Sequence, residues 1–243
     1  MSEDVLSLLD QTADHTAAQL ADNTEWGLVG RDHAAQYAHD LVADAAVLEV
    51  LGGSGVRVLS EESGWSGPED AEVTVIVDPV DGSTNASLGI PHWVVSLCAV
   101  DGEGPVASVV LNPSNGERYR AIRGGGATLG DAPITPSTKT KLSESIVGLT
   151  GRPSGSQRWA QFRALGAAAL DICYVAAGRL DAMYGSYGLS IWDYAGAMHV
   201  CMEAGAPIGE KKDIALFDVS IEGRRQVLAA GTQPVLDELK RSV

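Results

Sequence analysis

A mixed α/β fold is what this sequence predicts, on three observations. Two helical patterns open the chain, a β-rich middle follows, and the second half alternates short strand-like and helical patterns. Residues 4–20 carry spaced apolar positions (Val5, Leu8, Leu9, Ala13, Ala17, Leu20) and read as an amphipathic helix. Residues 32–51 read as a second, stopped by Gly52-Gly53. Residues 56–59 form a short strand that delivers Ser60-Glu61-Glu62-Ser63, and 73–77 form a second strand, which Pro79 should end because it cannot donate to a ladder. Strands are expected at 92–100, 106–111 and 118–122, with turns at Asp101-Gly102 and residues 112–116. Gly124-Gly125-Gly126 lacks the lysine of a P-loop and reads as a tight hairpin turn. A strand at 145–150, helical segments at 157–165 and 167–177, and a strand at 179–184 follow. The chain then has a helix over 194–204 closed by Gly205, a strand near 226–230 and a terminal helix from Pro234. The expected organisation is a single domain over 1–243 with two lobes, about 1–137 and 138–243.

With 243 residues, 45% hydrophobic and 20% charged, the chain has the composition of a globular protein. Its net charge of −15 argues against a general nucleic-acid binder, which needs a basic surface. The same charge repels an anionic substrate unless cations reverse the local field. Cys98, Cys173 and Cys201 lie far apart in apolar runs, so they read as buried thiols and not as a zinc site. The acidic start Met1-Ser2-Glu3-Asp4 lacks a signal-peptide pattern and no apolar run reaches bilayer length. A cytoplasmic location with no membrane partner is expected.

Three acidic stations stand out: Glu61-Glu62, Asp78 with Asp81, and Asp193. Each follows an apolar stretch or opens a helix, where a carboxylate is fixed yet can face a cleft. Carboxylates so placed suit Mg²⁺, a hard cation that takes oxygen ligands. Taken singly, an Asp opening a helix is more often a cap, and a Glu-Glu pair is usually surface charge. The ordered set carries the argument. After Asp81, the run Gly82-Ser83-Thr84-Asn85 offers backbone N–H groups and two hydroxyls to a phosphate.

Ser60-Glu61-Glu62-Ser63, Asp78-Pro79-Val80-Asp81-Gly82-Ser83-Thr84-Asn85 and Trp192-Asp193-Tyr194-Ala195-Gly196 resemble, in order and spacing, the signatures of the inositol monophosphatase family. The resemblance extends through Val110-Leu111-Asn112-Pro113, Ile122-Arg123-Gly124-Gly125-Gly126-Ala127 and Ala176-Ala177-Gly178-Arg179-Leu180-Asp181-Ala182. It implies a layered αβαβα sugar-phosphatase fold, Mg²⁺-dependent phosphomonoester hydrolysis by a metal-activated water, lithium sensitivity and a homodimer. It implies two or three Mg²⁺ ions. Glu61, Asp78 and the Val80 carbonyl would hold one, Asp78, Asp81 and Asp193 a second, and Glu61 a weaker third. Gly82, Ser83 and Thr84 would contact the substrate phosphate. The family's water-orienting Thr-Asp pair becomes Ser83 with an Asp. Asp44, in Leu41-Val42-Ala43-Asp44, is the choice, with Asp40 and Asp32 as competitors. The position of a ring-binding Glu in inositol-specific members falls on Ser186, which puts myo-inositol 1-phosphate in question as sole substrate. Histidinol phosphate, fructose bisphosphate and 3′-phosphoadenosine 5′-phosphate are the alternatives, and a non-catalytic metal- or phosphate-binding protein is a further one. Arg152, Arg158 and Arg163 could meet a nucleotide, though solvent-facing charges are the plainer reading. His92 and His199 read as structural.

Overall fold

The computed structural model describes residues 2–26, 37–152 and 158–243. Helix α1 (Ser2–Ala21) and helix α2 (Ala38–Leu51) lead the chain. The first part of the expected second helix, residues 32–36 and with it Asp32, lies outside the described residues. An eight-stranded sheet follows: β1 (Arg57–Ser60), β2 (Gly64–Ser66), β3 (Thr74–Asp81), β4 (Val94–Asp101), β5 (Gly104–Leu111), β6 (Arg118–Ile122), β7 (Gly126–Leu129) and β8 (Ala132–Pro133). A short helix, α3 (Ser83–Ser87), interrupts it after β3. The spatial order is β2-β1-β3-β4-β5-β6-β7-β8; β1 and β3 run parallel and the other pairs antiparallel. The second half contributes β9 (Ile146–Thr150), β10 (Gln161–Arg163), helix α4 (Ala168–Ala176), β11 (Ala182–Gly185), helix α5 (Ala195–Ala204), β12 (Ile208–Glu210), β13 (Val227–Ala230) and helix α6 (Gln233–Ser242). Its five strands form a separate sheet, in the order β10-β9-β11-β13-β12.

Five layers result. Helices α1 and α2 cover one face of the large sheet, α4 and α5 lie between the two sheets, and α6 covers the outer face of the small one. Each interface has its own apolar core. Leu9, Val47, Val75 and Val109 join the first helix pair to the large sheet, Ile76, Ile172, Met183 and Met198 fill the middle, and Leu149, Leu228 and Leu239 pack under α6. Strands β3 to β5 are buried on both faces, which is why they read as continuous apolar runs without alternation. The αβαβα architecture expected from the resemblance is the observed one.

Two elements differ from expectation, at Pro79 and at 157–165. Pro79 does not end its strand: β3 continues to Asp81 through a bulge. Asp78 faces Ser96 and Asp81 faces Val94, so two residues oppose one. Pro79 and Val80 occupy the bulge, where no ladder N–H is needed. The turn expected at Gly82-Ser83-Thr84-Asn85 is helical, entered through Gly82 at φ 94°. The expected helix at 157–165 is absent over its described part, where Gln161–Arg163 pairs parallel with β9. All three of its residues are exposed, so it has no apolar face to bury as a helix, and the open sheet edge takes its backbone instead.

Gly124-Gly125-Gly126 makes the β6–β7 hairpin. The three cysteines are free and buried. His199 is buried with its Nδ1 2.8 Å from the Ser108 hydroxyl, and desolvation pushes its pKa down to about 4, a neutral structural histidine.

Candidate active site

The parallel β1–β3 register aligns Ser60 with Val77, and the next rung is a hydrogen bond from the Glu61 amide to the Val77 carbonyl, 3.1 Å. Glu61 therefore leaves β1 beside Asp78 in β3. The bulge then fixes Asp78: its carboxylate accepts the Val80 amide at 3.1 Å. Asp193 arrives from the turn before α5, where its carboxylate accepts the Ser190 amide at 2.7 Å. It does not cap α5, whose N-cap is Tyr194. One oxygen from each of Glu61, Asp78 and Asp193 lies within 4.8 Å of the others. Glu62 is not in this triplet.

Asp81 stands beside it, committed differently: its two oxygens accept the Ala168 and Ala169 amides at the start of α4, at 3.1 and 2.7 Å. Asp81 and Asp193 line one cleft of about 550 Å³ with Thr150, Gly151, Arg152 and Tyr187. Asn85 ties down the chain next to the cleft residue Gly166, donating to the His92 and Leu165 carbonyls at 2.7 and 2.8 Å. Gly166, at φ 96°, leaves the room: a Cβ there would stand 2.9 Å from the Asn85 amide nitrogen. His92 in turn lies 3.0 Å from the buried Asp171 of α4, a structural contact.

Desolvation and crowding push these carboxyl groups up, even at Glu61, whose residue as a whole is exposed. Glu61 rises to about 8 through desolvation, then repulsion from Asp193 and Glu62. Asp193 rises to about 6 through desolvation. Asp78 and Asp81 are held well above the carboxylate range by burial and by their acidic neighbours. Oxygen donors that destabilise one another at this range are the donor set of a hard divalent cation, so the residues fit Mg²⁺.

The sign of the pH effect follows. Each group binds protons more tightly folded than unfolded, so the metal-free protein loses stability as pH rises from about 4.5 toward 8. A divalent ion binds the deprotonated form. The melting-temperature gap between Mg²⁺ and EDTA is therefore expected to widen from pH 6 to pH 8.5. A gap that is absent or shrinks with pH would remove the metal from this cluster.

The fold separates the two described candidates for the acid that partners Ser83. Asp44 accepts the Ser60 and Ser63 hydroxyls at 2.5 and 3.1 Å, so it ties down the loop that carries Glu61 and makes no contact with Ser83. Asp40, one helical turn earlier, lies near Ser83, whose hydroxyl favours its charged form. That hydroxyl donates to the Val80 carbonyl at 2.8 Å. Desolvation raises Asp40 to about 6 against the Tyr37 amide and Ser83. Tyr37 adds a bond from its hydroxyl to that of Thr84, 3.2 Å, which seats the start of α2 on the start of α3.

Ser186 does not meet the acidic cluster. Its hydroxyl donates to the Thr150 carbonyl, its amide to the Thr150 hydroxyl at 3.1 Å, and it lines a neighbouring cavity in place of the Asp81–Asp193 cleft. Of the three arginines offered by sequence for a nucleotide, Arg152 stands in the wall of this cleft, beside Tyr187, which nothing in its local pattern marks.

A layered αβαβα protein with a carboxylate triplet drawn from the exit of β1, the β3 bulge and the turn before α5, and a Gly-Ser-Thr turn next to it, has the arrangement that suits a metal-dependent phosphatase. The inositol monophosphatase family model matches residues 32–236. An inositol-1-monophosphatase of Mesorhizobium japonicum is 37% identical over 64% of this chain and 64% of its own. Nus factor SuhB of Escherichia coli is 33% identical over 82% of each. The solved inositol monophosphatase of Anabaena superposes with a TM-score of 0.83 at 26% identity, covering 99% of this chain and 95% of that one. The chain belongs to the inositol monophosphatase family and is a phosphatase. Among the described residues no helix is long and apolar enough to cross a membrane.

Proposed function

We propose that this chain is a Mg²⁺-dependent phosphomonoester hydrolase of small polyol phosphates, working as a cytoplasmic homodimer of two-lobed protomers. The observation that carries the reading is the meeting of Glu61, Asp78 and Asp193 within 4.8 Å. Glu61, Asp78 and the Val80 carbonyl would hold one ion, Asp78, Asp81 and Asp193 a second, and Glu61 a third. Bound Mg²⁺ supplies Lewis-acid neutralisation of the phosphate and a lowered pKa for an attacking water.

The chain's own residues supply the rest. The Ser83 hydroxyl, between the Val80 carbonyl and Asp40, orients the water. Asp40, at about 6, is largely ionised at neutral pH and close enough in basicity to take its proton. The first helical bond of α3 runs from the Ala86 amide to the Gly82 carbonyl, 3.0 Å, so the amides of Ser83 and Thr84 precede the ladder and are available to phosphate oxygens, with that of Gly82 beside them.

The net charge of −15 supports an enzyme without a direct nucleic-acid role. Relatives carrying the name Nus factor SuhB make a mobility-shift assay the right control. The central test is phosphate release, with and without Mg²⁺, from myo-inositol 1-phosphate, histidinol phosphate, fructose 1,6-bisphosphate and 3′-phosphoadenosine 5′-phosphate. Turnover that requires Mg²⁺ is the expected result. Binding of Mg²⁺ and ester with no turnover of any compound would leave a non-catalytic binding protein.

A further inference from the structure

Asp171 is the one charged side chain of α4, and it stands among buried apolar neighbours such as Leu170, Ile172 and Val175. It is fully buried. One carboxylate oxygen lies 3.0 Å from His92 Nε2, and the other has no hydrogen-bond partner among the described residues. An ionised carboxylate only accepts, so the His92 Nε2–H donates. A carboxylate taken out of water and given a single partner is costly, and an apolar side chain would fill the same space without that cost. Packing therefore does not account for Asp171. Its place in the fold does. On its backbone side His92 abuts the α3 turn: its carbonyl accepts the Asn85 amide at 2.7 Å and stands 3.1 Å from where a Cβ on Gly82 would be. On its side-chain side it meets α4, at Asp171 and edge-on at the Tyr174 ring, 5.5 Å between centres. Within a helical turn of Asp171 lie Ala168 and Ala169, whose amides hold both oxygens of Asp81. Helix α4 has no side-chain cap at its N-cap residue, Ala167. Asp81 receives those first amides instead, so its carboxylate points wherever α4 starts.

We infer that Asp171 and His92 are a positioning pair for the metal site: their bond sets the start of α4 against the α3 turn, and so aims the Asp81 carboxylate at the ion that Asp78, Asp81 and Asp193 would hold. Neither residue lines the cleft, so the pair acts through Asp81 and touches neither metal nor substrate. Groups that orient a metal ligand from behind typically change metal affinity by about 10–100-fold when removed. The inference rests on the phosphatase reading above for its choice of metal ligands.

The test is calorimetry with Mg²⁺ alone on the whole chain, comparing the natural protein with His92→Phe, His92→Gln and the double variant His92→Phe/Asp171→Leu, with melting temperatures taken in EDTA. His92→Phe keeps a ring against Tyr174 and removes the donor. It leaves Asp171 buried without a partner, so its melting temperature should fall. The double variant removes both polar groups, and its melting temperature should return to the natural value or above. Mg²⁺ binding is expected to be about tenfold or more weaker in both. His92→Gln, which keeps an N–H at similar reach, should hold the affinity within a few-fold. Affinity lost in a double variant of natural stability is an effect that packing alone does not produce. A double variant with a natural melting temperature and Mg²⁺ affinity within a few-fold of the natural protein overturns the inference. So does an equal loss in His92→Phe and His92→Gln. Phosphate release on the same proteins separates the two readings. If no ester is turned over, yet the double variant binds Mg²⁺ about tenfold more weakly, the positioning pair stands and the phosphatase reading fails.

Discussion

Asp78→Asn is expected to reduce phosphate-ester turnover by roughly 10³-fold or more, because removing an ion worth several kcal/mol of transition-state stabilisation costs a factor of ten per ~1.4 kcal/mol. The same change should make the metal-free protein more stable. Asp78 is buried against Glu61, Asp81 and Asp193, all of which raise its pKa, and a neutral amide relieves that repulsion. The Asn oxygen can still accept the Val80 amide that Asp78 now accepts, so the bulge is kept. Lost turnover, a raised melting temperature in EDTA and a collapsed Mg²⁺-dependent shift form one signature. Turnover within a few-fold of the natural protein would remove Asp78 from the metal site. Lost turnover with a lowered melting temperature in EDTA would instead mark a folding defect.

Asp40→Asn and Ser83→Ala are each expected to lower kcat by about 10²–10⁴-fold, the usual contribution of a positioned general base. If the two act as one device, the double variant loses little more than either single one. Asp44→Asn is the decisive comparison. It should keep kcat within a few-fold and lose about 1–3 kcal/mol of stability, since a buried carboxylate holding the Ser60 and Ser63 hydroxyls is disturbed. Steady-state kinetics and urea melts on the four proteins check this. A large kcat loss in Asp44→Asn with none in Asp40→Asn would hand the role back to Asp44.

Asp40 and Asp44 show where sequence reading stops. They sit four residues apart on α2, on one face of the helix, both buried. Spacing makes them equivalent. What distinguishes them is how far each lies along the helix: the N-terminal turn, with Tyr37 and Asp40, abuts Ser83 and Thr84, while the next turn abuts Ser60 and Ser63. That depends on how α2 lies on β3, a property of packing between segments far apart in the chain. Ser186 lies away from the acidic cluster for a related reason. Its distance from Asp193 in sequence is right, but the Thr150 backbone on the neighbouring strand captures its hydroxyl.

Segment 157–165 teaches the same lesson for the fold. A helical pattern there had no core to face, and an unpaired sheet edge was available, so the backbone took the edge. Local preference lost to a hydrogen-bonding opportunity created by a strand more than ten residues away.

What the sequence determined by itself was the set of elements with apolar runs or strong punctuation, and the carboxylates beside that punctuation. Glu61, Asp78 and Asp193 were legible because each sits at a local irregularity set by nearby residues: the exit from β1, the bulge at Pro79 and the turn that follows Ser190. Tertiary structure alone decided which hydroxyl meets which acid, that Asp81 would brace α4, and that His92 would pair with Asp171. Those are distances between chain segments separated by tens of residues. They are set by how helices and sheets pack across three separate cores, and no local pattern encodes that.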